Sequence, residues 1–378
     1  HLRNALLPLG EHRRTFDHLR AAETLARRLN DQRRLGRAFA YQAEYFRMTG
    51  ESERAVEAGE DALALATALG DFALQVMATF FLGSAYYALG NYRRAVDCLS
   101  TSVASLSGDL LRERFGMTGL PAVMARTWLV SCLADLGEFA AGAARGEEAV
   151  RIGETVDDPF SLTLAYYGLG GLYLRRGDLH KALPGLERSL ELCQVTHIPT
   201  WFPTVAAALG YAYTLSGRVA EALPLLKQAV EQDASASRSA GHARRVAYLS
   251  EAYLLAGRLD EAAALARRAL AFARDCKARG YEAYALWLLG EIHVHQEPLA
   301  GETAAAAYWQ ALTLADELGM RPLQAHCHFG LGTLYAKVGQ REQAHVELSA
   351  AIALYRAMEM TFWLPGVEAA LARESAEP

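Results

Sequence analysis

Along most of the chain the apolar and small positions recur in register. A large side chain stands four residues before a glycine at Phe46 and Gly50, Tyr86 and Gly90, Leu133 and Gly137, and Tyr173 and Gly177. The phrase returns at Tyr213 and Gly217, Tyr253 and Gly257, and Tyr335 and Gly339, most copies lying 40 residues apart. Five residues after the glycine comes a small residue, giving the column Ala55, Ala95, Gly142, Ala182, Ala222, Ala262, with Ala304 and Ala344 in phase. Seven residues further stands a second column: Ala62, Ser102, Ala149, Ser189, Ala229, Ala269, Ala311 and Ala351. Repeats at this period are the mark of arrays stacked from one supersecondary unit.

The columns predict helical hairpins. The large residue ends a first helix and fills the gap between neighbouring units. Glycine reaches left-handed backbone angles without steric cost and so permits the tight turn. Two small residues spaced seven apart share one face of the second helix and let its partner approach closely. A single hairpin cannot bury its apolar face alone, so the units must stack.

The unit running Tyr166, Leu169, Gly170, Tyr173, Gly177, Ala182, Leu186, Ser189 resembles a tetratricopeptide repeat in residue type and spacing. The resemblance implies an all-α, right-handed superhelical solenoid of antiparallel hairpins, in a long subclass with a 40-residue period rather than the usual shorter one. The chain then divides as one solenoid domain over 1–378: a partial first repeat in 1–34, eight repeats in 35–360, and a capping helix with a polar tail in 361–378. The chain opens at His1-Leu2-Arg3 and reads as a fragment of something longer. Two irregularities interrupt the period. One unit is stretched around Ser107 to Pro121, and near 293–304 His293 and Gln296-Glu297-Pro298 replace the usual aromatic and glycine.

Composition changes little. Half the residues are apolar, and the net charge of -5 does not point to nucleic acid as the main partner. The first 40 residues carry nine Arg against four acidic residues, which reads either as a solvated helix face or as a docking surface. Cys98, Cys132, Cys193, Cys276 and Cys327 are scattered without pairing and read as small buried residues of a reducing compartment. No signal peptide is evident and no apolar run is expected to approach transmembrane length, so a cytoplasmic protein without a membrane partner is expected.

Catalytic motifs do not appear, so no enzyme activity, cofactor or metal is expected of this chain. Gly168-x-Gly170-Gly171 and Gly330-x-Gly332 imitate a dinucleotide fingerprint but fall inside helices and read as packing glycines. His293-x-His295 and His326-x-His328 point to opposite sides of a helix and cannot chelate from one face.

In the tetratricopeptide family the concave face is built from the first helices. Projecting each unit gives Arg37, Tyr41, Glu44 and Arg47; Phe80, Phe81 and Tyr87; Met124 and Trp128; Tyr167 and Arg175; and Thr204 and Tyr211. The later units give Arg244, Tyr248 and Glu251; Tyr284, Trp287 and Glu291; and His326 and Phe329. From these the candidate binding residues are Arg47, Phe80, Phe81, Tyr87, Trp128, Tyr167, Arg175, Tyr211, Tyr248 and Trp287. Two readings remain open. The rings are buried between helices, or they line a channel with Arg and Glu accents suited to a peptide or helix with apolar anchors. Asparagine ladders and the Lys/Asn clamp of the family's best-known peptide grooves are absent at these positions. The phrases Pro199-Thr-Trp201-Phe202-Pro203 and Thr361-Phe362-Trp363-Leu364-Pro365 place proline in the opening turn of a helix.

Beyond the repeat itself, the phrases Ala149-Val-Arg-Ile152 with Pro159-Phe160, and Leu318-Gly-Met-Arg-Pro322, resemble the C-terminal repeat region of large bacterial signalling proteins, of the cyclase–ATPase or maltose-type transcription-activator kind. That resemblance implies a regulatory interaction module whose partner is a protein, a peptide or the parent's own ATPase domain. The alternative is a small-molecule sensor with an aromatic-lined channel.

Overall fold

The computed structural model describes residues 11–234 and 240–376. The expectations about His1-Leu2-Arg3 and the last residues of the polar tail lie outside that span. Among the described residues there are α-helices and one short 3-10 turn, and no strand.

Helix α1 (His12–Arg28) stands without a first-helix partner among the described residues. Eight hairpins follow: α2 (Gln32–Met48) with α3 (Ser52–Leu69), α4 (Phe72–Leu89) with α5 (Tyr92–Ser105), α6 (Pro121–Leu136) with α7 (Phe139–Val156), and α8 (Pro159–Arg176) with α9 (Leu179–Val195). The other four are α10 (Phe202–Leu215) with α11 (Val219–Ala234), α12 (Ala240–Leu255) with α13 (Leu259–Asp275), α14 (Arg279–Val294) with α15 (Gly301–Leu318), and α16 (Arg321–Lys337) with α17 (Arg341–Ala357). Helix α18 (Leu364–Ala376) packs on α17. The stretched unit forms a 3-10 turn at Gly108–Arg112 between α5 and α6.

The local causes are those the sequence carries. Every signature glycine from Gly50 to Gly339 sits at positive φ, where a Cβ would be strained. Asp31, Asp71, Asn91 and Asp158 cap α2, α4, α5 and α8 by accepting from backbone N–H groups of the first turn. The turns between hairpins use a second set of left-handed residues, several not glycine: Asn30, Asp157, His197, Lys277 and Glu359. Both small columns are buried along their whole length. The residues before the signature glycines bridge to the preceding hairpin: the Tyr86 hydroxyl donates to Glu60 at 2.7 Å and the Tyr213 hydroxyl to Glu187 at 3.1 Å.

Four of the five cysteines are buried; Cys98 is half-buried. The arginine-rich α1 and start of α2 are largely exposed, with Arg27 on Glu23 at 3.0 Å and Arg33 on Asp71 at 2.6 Å. One expectation needs correcting. Helix α4 is long and apolar enough to cross a membrane, yet 78% of it is buried inside the fold. Its apolar surface serves as core because α4 is packed between α2, α3, α5 and α6.

The array turns until its late hairpins meet its early ones. Helix α16 touches α6. Ala88 at the end of α4 packs with Ala243, Ala278 and Tyr281. Lys277 pairs with Glu53, and Arg176 with Glu359 at 2.9 Å. Phe362 and Trp363 sit against Gly177, where a Cβ would collide with both. These contacts form a seam that closes the solenoid on itself and encloses a narrow axial channel walled by the first helices.

Candidate functional site

The channel begins with residues three, four or seven apart on the first helices, which share one helix face. Helix α6 supplies Asp135; α8 supplies Tyr167, Gly171 and Arg175; α12 supplies Arg244, Tyr248 and Glu251; α14 supplies Tyr281, Tyr284 and Trp287. Two small adjoining cavities of about 30 and 40 Å³ lie between them. They share Leu174, Arg175, Arg244 and Tyr248, so the two guanidiniums stand at their junction.

The polar groups form a network across the channel. Arg175 lies 2.9 Å from Asp135, though that oxygen accepts no hydrogen bond, and stacks over Tyr284 at 4.3 Å. The other Asp135 oxygen accepts from the Tyr87 hydroxyl at 3.1 Å. Arg244 donates to the Tyr167 hydroxyl and lies over the Tyr281 ring at 5.5 Å. Arg245, on the same wall, donates to Thr204 Oγ1 at 3.1 Å. Tyr211 and Tyr248 stack face to face at 4.1 Å, and the Tyr211 hydroxyl donates to Glu251 at 3.1 Å. Arg47 lies over Trp128 at 5.3 Å, near the ring of Tyr87.

Burial governs the titrating groups. Desolvation lifts Glu251 to about 8, with the nearby Glu291 adding to the rise, while Tyr211 and Arg175 pull it down. Glu291 is raised by the same cause although Tyr308 donates to it at 2.8 Å. Burial depresses His326 to about 3, with the Arg175 charge acting the same way; its Nδ1 lies 2.7 Å from the Tyr355 hydroxyl. Neutral at ordinary pH, His326 sits among the rings of Trp287, Tyr355 and Trp363. His328 contacts Glu347 at 2.6 Å, and no group of three or more metal-ligating residues occurs among the described residues.

The ten candidates divide by depth. Trp128, Arg175, Tyr211, Tyr248 and Trp287 are half-buried; Tyr87 and Tyr167 are buried but turn polar atoms to the cavity. Arg47 is half-buried against Trp128, and both lie outside the two cavities. Phe80 and Phe81 differ. At 3% and 2% exposure they pack in the core against each other, and Phe81 meets Tyr41 edge-on. They present no free face because α4 is enclosed by its neighbours. Asp135 and Tyr281 were not singled out from sequence; their signal was spacing, Asp135 seven residues after Trp128 and Tyr281 three before Tyr284. Gly168 and Gly170 pack against Thr127 and Leu186. Gly171 does not: a Cβ there would meet nothing, and its bare backbone helps leave the cavity open. Trp201 reaches the channel wall edge-on to Tyr167 at 5.7 Å, and Phe362 remains 42% exposed.

This geometry defines an all-α repeat solenoid closed around an aromatic channel. Models of the tetratricopeptide repeat match residues 160–233 and 213–286, so repeats of that type are present in the middle of the chain. No curated protein matches the chain. Among solved structures, the Rap protein complexed with competence and sporulation factor is similar at 13% identity and TM-score 0.57, over 90% of this chain and 99% of that one. The Rap conjugation gene regulator of plasmid pLS20, in complex with the Phr* peptide, is similar at 14% identity and TM-score 0.58, over 85% and 95%. The human IFIT1 dimer with m7Gppp-AAAA is similar at 15% identity and TM-score 0.55, over 100% and 81%. Likeness at these identities is one of fold.

Proposed function

We propose that the chain is a regulatory interaction module that receives a peptide or protein segment in the axial channel. The observation that carries this reading is the row of partly exposed Tyr211, Tyr248 and Trp287 beside the guanidiniums of Arg175 and Arg244, on consecutive first helices. Aromatic and Arg side chains concentrate binding energy where they remain accessible. The two similar Rap structures are complexes with a factor and with a peptide, which supports a peptide as the occupant here. The resemblance to signalling proteins suggests a partner that is regulatory, the parent's own ATPase domain included.

Peptide display on the full chain tests this reading. Enriched peptides should bind in a way that Tyr248→Ala and Trp287→Ala weaken at least tenfold. Selection of nothing, or binding indifferent to both variants, would overturn it.

A second reading has one observation in its favour. The cavity that holds Tyr284, Trp287 and Trp363 is walled mostly by rings. A metabolite thermal-shift screen on the same chain decides it: a single metabolite raising the Tm, with peptides inert, would make the channel a sensor.

A further inference from the structure

We infer that the junction of the two cavities is a carboxylate site, built from the guanidiniums of Arg175 and Arg244 and the phenol of Tyr284. The inference rests on the channel reading above and names the chemistry the channel selects.

The charge balance is the first argument. Arg175, Arg244 and Arg245 line the two cavities against the carboxyl groups of Asp135 and Glu251, three guanidiniums against two acids. Asp135 stands against Arg175. Arg244 has only the Tyr167 hydroxyl and the face of Tyr281, and among the described residues it forms no ion pair with a carboxylate. A guanidinium removed from bulk water is costly unless an anion offsets it. The second argument is independent of charge. The Tyr284 hydroxyl is buried with no hydrogen-bond partner, and Tyr284 lines the same cavity with its ring beneath Arg175. A buried donor left unsatisfied costs free energy that an incoming acceptor recovers. Donors from α8, α12 and α14 therefore line one cavity, where the Tyr284 hydroxyl has no acceptor.

The guanidiniums outnumber the acids, so an incoming anion is favoured. The planar guanidinium fork matches the two oxygens of a carboxylate. The walls beyond the donors are mainly Tyr211, Tyr248, Trp287 and Trp363, with Glu251 and His326 among them, so the group carrying the carboxylate is largely aromatic or apolar on its far side. The site differs from the family's Lys/Asn clamp, whose positions here hold other residues. In a peptide, the carboxylate comes either from the C-terminus or from an Asp or Glu beside an apolar residue.

The test uses phenylacetate and its neutral analogue phenylacetamide on the full chain, at constant ionic strength, read by thermal shift and calorimetry. Binding to the folded state raises the Tm by mass action. Phenylacetate should raise it with concentration and phenylacetamide should not. Arg244→Gln should weaken phenylacetate about tenfold or more, as expected for loss of a charge-assisted contact. Should Arg244→Gln fold poorly, Tyr284→Phe removes the unpaired donor without adding bulk and should also reduce the response. Equal shifts for acid and amide, an undiminished response in these variants, or a larger shift with inorganic phosphate would each overturn the inference. Peptides selected by display then separate the sources. Loss of binding on C-terminal amidation assigns the terminus, and a fixed Asp or Glu assigns the side chain. Peptides that need Tyr248 and Trp287 but no carboxylate overturn this inference and leave the channel reading standing.

Discussion

The hydroxyl of Tyr92, at the start of α5, occupies the space that a side chain on Gly280 would fill at the start of α14. The same approach brings Gly90 within 3.0 Å, measured from its missing Cβ, of the Gly280 nitrogen. The second hairpin thus lies directly on the seventh, and this contact holds the seam. Gly280→Ala should destabilise the fold by about 1–3 kcal/mol through overpacking. Tyr92→Phe removes the colliding oxygen and should recover part of the loss in the double variant. Additive losses in denaturant melts would show that the two residues do not meet in solution.

The small columns give a second prediction. Ala182 and Ala222 are fully buried on the second helices α9 and α11. Ala182→Trp or Ala222→Trp forces a large ring between packed helices and should lower stability by about 1–3 kcal/mol or more. Exchange at Ala104, exposed near the end of α5, should change little. Unchanged melting for both buried variants would remove the columns from the packing scheme.

Much of the fold was legible because the period fixes it. A left-handed glycine, an aromatic ending and two small columns recur too often to specify anything but stacked hairpins. The channel was legible only as a face. The pattern that put Phe80, Phe81 and Tyr87 on one helix could not tell a lining residue from a core residue, because depth depends on how far the array turns. That turn is set by seam contacts such as Tyr92 with Gly280 and Trp363 with Gly177, between residues whose repeats are distant in sequence. The inter-hairpin turns escaped for a different reason. Asp157, His197, Lys277 and Glu359 adopt positive φ with no glycine to announce it. Asp135 escaped because a single acid near the end of an apolar helix looks like surface until Arg175 arrives from the next first helix.

The Arg175–Asp135 pair should behave as a buried unit. Asp135 is 2% exposed and Arg175 13%. Removing one partner leaves the other charge uncompensated, so Arg175→Met alone should cost about 3–5 kcal/mol. Arg175→Met combined with Asp135→Leu should recover most of that cost, since apolar replacement of a whole pair is often neutral. Chemical denaturation of the two singles and the double decides it; a double variant as unstable as the sum of the singles would mean that the charges do not act together.

Glu251 gives the channel a pH dependence with a definite sign. Its carboxyl is raised to about 8 in the folded protein, by burial first and by Glu291 second, against the attraction of Arg175 and the hydrogen bond from Tyr211. The unfolded chain ionises near the ordinary glutamate value of about 4.3. The folded state therefore holds this proton more tightly. Its stabilising contribution is complete below the unfolded value and is lost as pH rises through the folded one. Glu251→Gln keeps an acceptor for the Tyr211 hydroxyl but cannot ionise. The variant and the natural chain should melt alike near pH 4.5, and the variant should gain progressively toward pH 8 and then hold a constant advantage. Glu291, raised for the same reason, is present in both proteins and largely cancels in the difference. Above pH 8 the ionised Glu251 would also face Arg175, so binding of phenylacetate should weaken in the natural chain and stay level in Glu251→Gln. Parallel melting curves from pH 4.5 to 9 would show that Glu251 titrates as an ordinary carboxylate and that the channel is open to water around it.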